Sequence, residues 1–446
     1  MVRVRGMRLF SKPLVCCALF ALLGTLQSGS AQTGTAPKKH LSSDPAAQAL
    51  NQLLAAAQAA FDKQDYATAA QNYQDYLAKK PDDAVVHYDL GYAYTAMHRP
   101  ADAKTEYEKA ISLDPKMAAA YLNLGITLLE SDPGAAVDPL QHAAALMSDQ
   151  ARPKFLLGVA LERTGKLPAA IEQYQAASKI DTKDFETHLA LGRSLIDAGR
   201  ASEAEPELRS ALEVRPDAAQ AHFELARSLV EQKKLEAGAS ELASYLQADP
   251  SDTAVRVQRA AVLVDLAKED DALAELDRAA AAGPESLRAL KLRYQIYWDE
   301  KRYNDAIPVL QKAAALAPQD QNIPALLGHA YLEKKLYPDA IQELATAYRM
   351  DPNANDVIAD LIAAEYAVKN YAAALQALDA LSKRKDLPAG SWFIRASCYD
   401  NLGQLQEALD GYKQFLQLNK DENNDMYFVS TERVRVLTRE LREKKR

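Results

Sequence analysis

Along most of the chain apolar residues recur at intervals of three and four, and nowhere in a long alternation. In residues 84–117, Leu90, Gly91 and Tyr94 share one stripe, and Ala103, Tyr107 and Ala110 share a second. That spacing places side chains on one face of a helix, and no segment alternates for long enough to argue for a sheet. Pro115 closes the second stripe, because proline lacks an N–H and biases its predecessor away from the helical region. The unit therefore reads as two helices joined by a short turn. Abundant alanine and few β-branched runs favour helix throughout.

Prolines show that this unit repeats. Pro216, Pro250, Pro284, Pro318 and Pro352 stand 34 residues apart, as do Pro81 and Pro115. From Pro115 to Pro216 is 101 residues, one short of three such steps. A fixed period of this length signals a stack of supersecondary units. Phased on the prolines, eleven units begin at Leu50, Ala84, Ala118, Ala151, Phe185, Ala219, Thr253, Leu287, Gln321, Asn355 and Ala389, and run to 422. The missing residue falls in the Ser131–Gly134 turn of the third.

One column never breaks. The second helix of every unit carries a small residue at Ala69, Ala103, Ala136, Ala170, Ala204, Gly238, Ala272, Ala306, Ala340, Ala374 and Ala408. Two helices that cross closely leave no room for more. With His87, Leu90, Gly91, Tyr94, Ala103, Tyr107, Ala110 and Pro115, and again with Trp392, Arg395, Ala396, Tyr399, Ala408 and Tyr412, the unit resembles the tetratricopeptide (TPR) repeat. The resemblance implies an all-α fold, a right-handed α-solenoid of about eleven helix pairs with a C-terminal capping helix. Arg259 and Arg293 depart from it where the family has leucine, and Tyr294 beside Arg293 and Ile362 in repeat ten depart where it has the small residue that follows. A splayed helix pair is expected around Tyr294.

The ends have their own character. Residues 1–31 read as a secretory signal peptide: Arg3, Arg5, Arg8 and Lys12 precede an apolar stretch from Leu14 to Leu26, then Gly29 and Ala31 offer small residues for cleavage. The stretch is short for a membrane span, although an uncleaved signal would anchor the chain. Residues 32–49 form a flexible linker and a helix start, with Ser43, Asp44 and Pro45 suited to begin a helix. Residues 423–446 supply a solvating helix along Tyr427, Val434, Leu437 and Leu441, which a stack needs to close its last apolar face. Its tail, 433–446, holds seven basic and two acidic residues. Helix-end stabilisation accounts for them, with a weak contact to anionic surfaces as the sharper alternative.

Charge and chemistry narrow the function. The full chain carries −8, and loss of the four leader cations makes it −12. An acidic body argues against nucleic acid as partner. After cleavage Cys398 is the one cysteine left, which forbids an internal disulfide. His87, His188 and His222 occupy a slot where the family has a large packing residue, and Cys398 reads as a core thiol. No metal, phosphate-loop or nucleophile motif occurs, so neither catalysis nor a cofactor is expected.

In TPR proteins the first helices line a groove that holds a partner segment. By that resemblance the fifth and ninth residues of each unit face it: Tyr88, Tyr92, Leu122, Ile126, Phe155, Val159, Arg193, Phe223 and Arg227 form the expected site. Of the Lys and Asn set that clamps a C-terminal carboxylate in chaperone-binding members, only Asn123 sits at a comparable place. The expected role is a scaffold or assembly factor of the cell envelope that binds a protein or peptide; a non-catalytic docking subunit of an enzyme complex is the alternative. Export to the periplasm or beyond predicts a mature N-terminus near Gln32, read by N-terminal sequencing. Intact Met1 in a soluble cytoplasmic fraction would overturn it.

Overall fold

The computed structural model describes residues 45–383, 385–419, 421 and 425–444; the leader and most of the linker lie outside them. The described residues form 23 α-helices and no strand. They fall into two compact units that part between Ser251 and Asp252. The first holds α1 (Pro45–Asp62), α2 (Tyr66–Leu77), α3 (Ala84–Ala96), α4 (Pro100–Leu113), α5 (Ala118–Leu129), α6 (Pro133–Leu146), α7 (Ala151–Arg163), α8 (Leu167–Ile180), α9 (Phe185–Asp197), α10 (Ala201–Val214), α11 (Ala219–Glu231) and α12 (Leu235–Ala248). The second holds α13 (Thr253–Asp265), α14 (Glu269–Ala282), α15 (Leu287–Asp299), α16 (Tyr303–Leu316), α17 (Asn322–Glu333), α18 (Tyr337–Met350), α19 (Asn355–Ala367), α20 (Tyr371–Ser382), α21 (Ala389–Asn401), α22 (Leu405–Leu418) and α23 (Asp425–Glu443). Eleven antiparallel pairs and one closing helix make an all-α solenoid.

Each pair is held by the same contact. The small column of the second helix is fully buried at Ala69, Ala103, Ala170, Ala204, Ala306 and Ala408 alike. On the first helix a glycine faces a large side chain from the second. A Cβ built on Gly91 would lie 2.8 Å from the Tyr107 ring, and one on Gly192 would lie 2.5 Å from Leu208 Cγ. Neither leaves room for a methyl group. Where that glycine is replaced by Tyr294 or Ile362, the pairs α15–α16 and α19–α20 are the least closely apposed of the eleven. The sparser contact at Tyr294 is in the direction of the expected splaying, and repeat ten shares it.

The turn inside each pair is equally uniform. Gln64, His98, Gly165, Gly199, Lys233, Ala267, Lys301, Lys335, Lys369 and Gly403 all adopt positive φ. The next residue then reaches back across the turn, as Arg99 N–H does to Tyr94 C=O at 2.9 Å and Lys234 N–H to Leu229 C=O at 2.9 Å. This left-handed cap satisfies carbonyls that a helix end leaves open. Between α5 and α6 no positive φ occurs, and Asp132 N–H bonds Leu128 C=O at 2.8 Å instead. The residue missing from the third period is therefore the left-handed one.

One apolar core runs from Ala57 to Leu229 through the first unit, while the second is built of successive smaller clusters. Leu437 of α23 is fully buried against Ala396, Ala408 and Tyr412, and Val434 and Leu441 pack beside it. Arg433 adds a two-pronged bond to Asp400, at 2.6 and 2.5 Å. That arginine of the basic tail thus fastens the closing helix to the repeat before it.

Most turns place a lysine or glycine in the left-handed position, but Ala267 sits there at φ 54°. An L-residue costs about 1–2 kcal/mol there and glycine does not, less the chain entropy glycine loses on folding. Ala267→Gly is expected to stabilise the protein by about 1 kcal/mol, read as an upward shift of the thermal midpoint. An unchanged or lower midpoint would count against this account of the turn.

Candidate partner-binding face of the first helices

In the first unit the first helices of neighbouring repeats touch, α3 with α5, α5 with α7 and α9 with α11, whereas no two second helices meet comparably. The first helices therefore make the inner layer, and residues between their contact lines face inward. Tyr88, Tyr92, Leu122, Ile126 and Val159 lie there half-buried, and Tyr88, Leu122, Ile126 and Val159 pack against the core. They form a lane over α3, α5 and α7. Tyr92 leans on the Phe61 ring with centroids 5.2 Å apart, and Tyr88 accepts a hydrogen bond from Asn123 Nδ2 at 3.1 Å. Asn123 thus serves an internal contact. Burial, chiefly, and the Asp89 carboxylate push the Tyr88 phenol up to about 12.

The other expected residues are placed differently. Phe155 and Phe223 are buried, 8% and 5% exposed, and each ring turns back onto its own second helix. Phe155 meets Tyr174 at 5.8 Å between centroids and Phe223 meets Tyr245 at 5.7 Å. The expectation that they face a groove is corrected accordingly. Arg227 is also buried, with Nη1 2.6 Å from Glu224 and Nη2 2.9 Å from Asp197 of α9. Half-buried Arg193 donates to Glu162 of α7 at 2.9 Å, and Glu162 also accepts from Tyr174 Oη at 2.8 Å. Both guanidinium groups brace one repeat against the preceding one, so neither stands free for an acidic partner.

The brace has an electrostatic cost. Glu224 is wholly buried and accepts from Arg227 and, at 2.8 Å, from Gln220. Burial still holds its carboxyl above the ordinary range against the pull of Arg227 and Arg193. The second unit uses similar ties: His329 Nδ1 lies 2.7 Å from Asp360, and Tyr366 Oη lies 2.9 Å from Ser397 Oγ. Arg259 and Arg293, the two departures from leucine, both pair with acids of α14, the second helix of Arg259's own repeat and of the repeat before Arg293. Arg259 and Arg256 reach Glu275 at 2.5 and 3.0 Å, and Arg293 reaches Asp277 at 2.6 Å. Cys398 is fully buried, which pushes its thiol up to about 11.

A recurrent polar staple was missed by treating the histidine slot as packing alone. His87 Nδ1 is 2.6 Å from Glu106 and its Nε2 is 2.8 Å from Pro81 O. His188 pairs in the same way with Glu207 and Thr182 O, and His222 with Glu241 and Pro216 O. Each ring joins a second helix to the turn that leads into its own repeat. Lys154, in the same slot, donates to Ser148 O at 2.8 Å. The signal was available: the histidine and glutamate stand 19 residues apart each time. Among the described residues no group of three His, Cys, Asp or Glu side chains could hold a metal, and no helix is long and apolar enough to cross a membrane.

Removing one member of a buried ion pair leaves the other uncompensated. Arg227→Met is expected to cost about 3–5 kcal/mol at neutral pH. Glu224 binds its proton more tightly in the folded chain than in the unfolded one, so the folded state gains as pH falls. The penalty of Arg227→Met should therefore shrink between pH 7 and pH 4 as Glu224 is protonated. Thermal midpoints of both proteins across that range test this, and a penalty independent of pH would refute it.

Comparison with known proteins agrees with this architecture. Two models described as tetratricopeptide repeat match residues 189–253, 257–321 and 360–423 in one case, and 60–124 and 297–347 in the other. A curated relative, Protein CTR9 homolog of Arabidopsis thaliana, is 37% identical over 76 residues, which is 17% of this chain and 7% of that protein. Among solved structures, YrrB, a TPR protein with an unusual peptide-binding site, is 19% identical over 42% of this chain and 96% of its own, with a TM-score of 0.39. MamA is 26% identical over 39% of this chain and 96% of its own, at 0.37. The Naa15/Naa10 structure bound to HypK-THB aligns with 84% of this chain and 64% of its own, at 13% identity and 0.42. Together the family matches span well over half of the sequence, and the chain belongs to the tetratricopeptide-repeat family.

Proposed function

We propose that this chain is a protein-interaction scaffold of the cell envelope that holds a partner segment against the first helices of its N-terminal repeats. Tetratricopeptide repeats are a protein-interaction architecture, and partners of that kind follow from the family. The observation that carries the finer reading is the half-exposed lane of Tyr88, Tyr92, Leu122, Ile126 and Val159. Such a lane offers area for an apolar segment, and aromatic side chains supply binding energy with little ordering cost. Neighbouring inward positions are filled by braces, which bounds the lane on the side of repeats five and six. The envelope assignment rests on the basic leader and the apolar stretch behind it.

A pull-down from envelope extract, followed by affinity measurement on the recovered partner, tests the proposal. Secretion or structural components support a scaffold, whereas one dominant enzyme would make the chain a docking subunit. Tyr92→Ala should weaken the complex by about 2 kcal/mol or more. If the variant melts earlier but binds unchanged while folded, Tyr92 is a packing residue and the lane is not the site.

A further inference from the structure

A cleft of about 480 Å³ lies beside the tyrosine lane, lined from α1 by Leu54, Ala55 and Gln58, from α2 by Tyr73, and from the start of α3 by Asp83, Val86 and Asp89. Two of its polar groups have no partner within the protein. Tyr73 is 98% buried, yet its hydroxyl makes no hydrogen bond in the protein and opens onto the cleft. The half-buried Asp89 carboxylate has neither a hydrogen bond nor an ion pair. Its counterparts 135 and 271 residues further on, at the same place in their repeats, are both paired: Glu224 with Arg227, and Asp360 with His329. The remaining acid, Asp83, is occupied by Lys80 at 3.0 Å and Tyr76 at 2.8 Å, and Gln58 donates to Asp62 at 2.8 Å. No cation lines the cleft.

We infer that this cleft takes the side chain of a lysine carried by a partner segment that lies along the lane. An ammonium has three donors: the Asp89 carboxylate and the Tyr73 oxygen can accept two, while Leu54, Ala55 and Val86 flank the aliphatic stem. A half-buried carboxylate without a partner is costly, and a bound cation recovers that cost. The same environment, burial first and then Asp83, raises Asp89 to about 6. The groups facing it are Asp83, Tyr73 and Tyr88, none of them cationic. Asp89 is therefore mostly ionised above pH 7 and becomes neutral as pH falls towards 5, which predicts that lysine binding fades over that interval.

The inference rests on the reading of this chain as a partner-binding scaffold, and it is tested apart from the lane. Blocked nine-residue peptides of alternating leucine and serine, with lysine, norleucine or glutamate at the centre, are titrated against the full chain. The lysine peptide should bind at least tenfold more tightly than the norleucine peptide at pH 7.5, and the ratio should collapse at pH 5. Asp89→Asn should abolish the ratio and Tyr73→Phe should reduce it several-fold, with thermal midpoints confirming that both remain folded. Tyr92→Ala should weaken lysine and norleucine peptides equally; affinities left unchanged by Tyr92→Ala, with the ratio intact, would fault the lane and leave the cleft. Equal affinity for lysine and norleucine peptides, a ratio that survives Asp89→Asn, or no binding of the lysine peptide at millimolar concentration overturns the inference. Binding that emerges only after Lys38→Ala and Lys39→Ala would also overturn it, by assigning the cleft to the chain's own linker.

Discussion

Two helices can cross at the close end of the usual interaxial range, about 8 Å, only where at least one of them presents almost nothing at the contact. In this chain that condition is met inside every pair by a buried alanine or glycine on the second helix, and mostly by a small residue on the first as well. Tyr107, Tyr174 and Leu208 then fill the space above the first-helix glycines with no volume to spare. Everything else inherits its geometry from this contact. It fixes the angle between the helices, which fixes the left-handed turn joining them, and it sets where the next repeat can dock. The relaxed pairs around Tyr294 and Ile362 show what happens when the contact is bulkier: the pair loosens but the architecture persists, because neighbouring repeats supply their own interfaces.

A stack in which each module touches only its neighbours must also carry ties between modules. Beside the shared apolar core, polar ties join the first helices of successive repeats: Asn123 to Tyr88, Arg193 to Glu162, Arg227 to Asp197, His329 to Asp360. Such groups are the ones that would otherwise present charge to a ligand. Bracing and binding therefore compete for the same positions. A guanidinium already held by two carboxylates offers a ligand little, since the ligand would have to replace bonds that exist. What remains for binding is the part of the inner face where bracing is sparse and apolar side chains are left half-covered.

The helix pairs, their phase and their closing helix are legible in the sequence, because proline spacing and a small-residue column record local backbone and steric needs. The inward residues are legible by position but not by state. Phe155 and Leu122 stand at equivalent places, yet one is buried and the other half-exposed. Phe155 leans on Tyr174, but Tyr88 leans in the same way on Tyr107 and stays half-buried, so the packing around each ring decides its state and not that one contact. Arg193 and Arg227 find their partners about 30 residues back, in the preceding repeat. Aligning repeats compares equivalent positions and does not show which neighbours meet, so these ties stay hidden. The histidine staples are an intermediate case: their 19-residue spacing is in the sequence, but its meaning needs the turn carbonyl brought up behind each ring.

A repeat protein gains specificity where one module departs from the rest, since identical modules would bind a segment in several registers. The sixth position of the repeat shows how that can arise without a new element. Where it is acidic in later repeats, a cation from the same or the preceding first helix is at hand, and the site is closed by its own chain. In the second repeat the carboxylate of Asp89 has no such neighbour, because α1 offers alanine and glutamine at the facing positions and α2 offers a phenol. An unpaired carboxylate is tolerated at modest cost to the whole, as is the buried Glu365 Oε2 of repeat ten. That leaves Asp89 unpaired beside Tyr88 and Tyr92, where the proposed segment would lie.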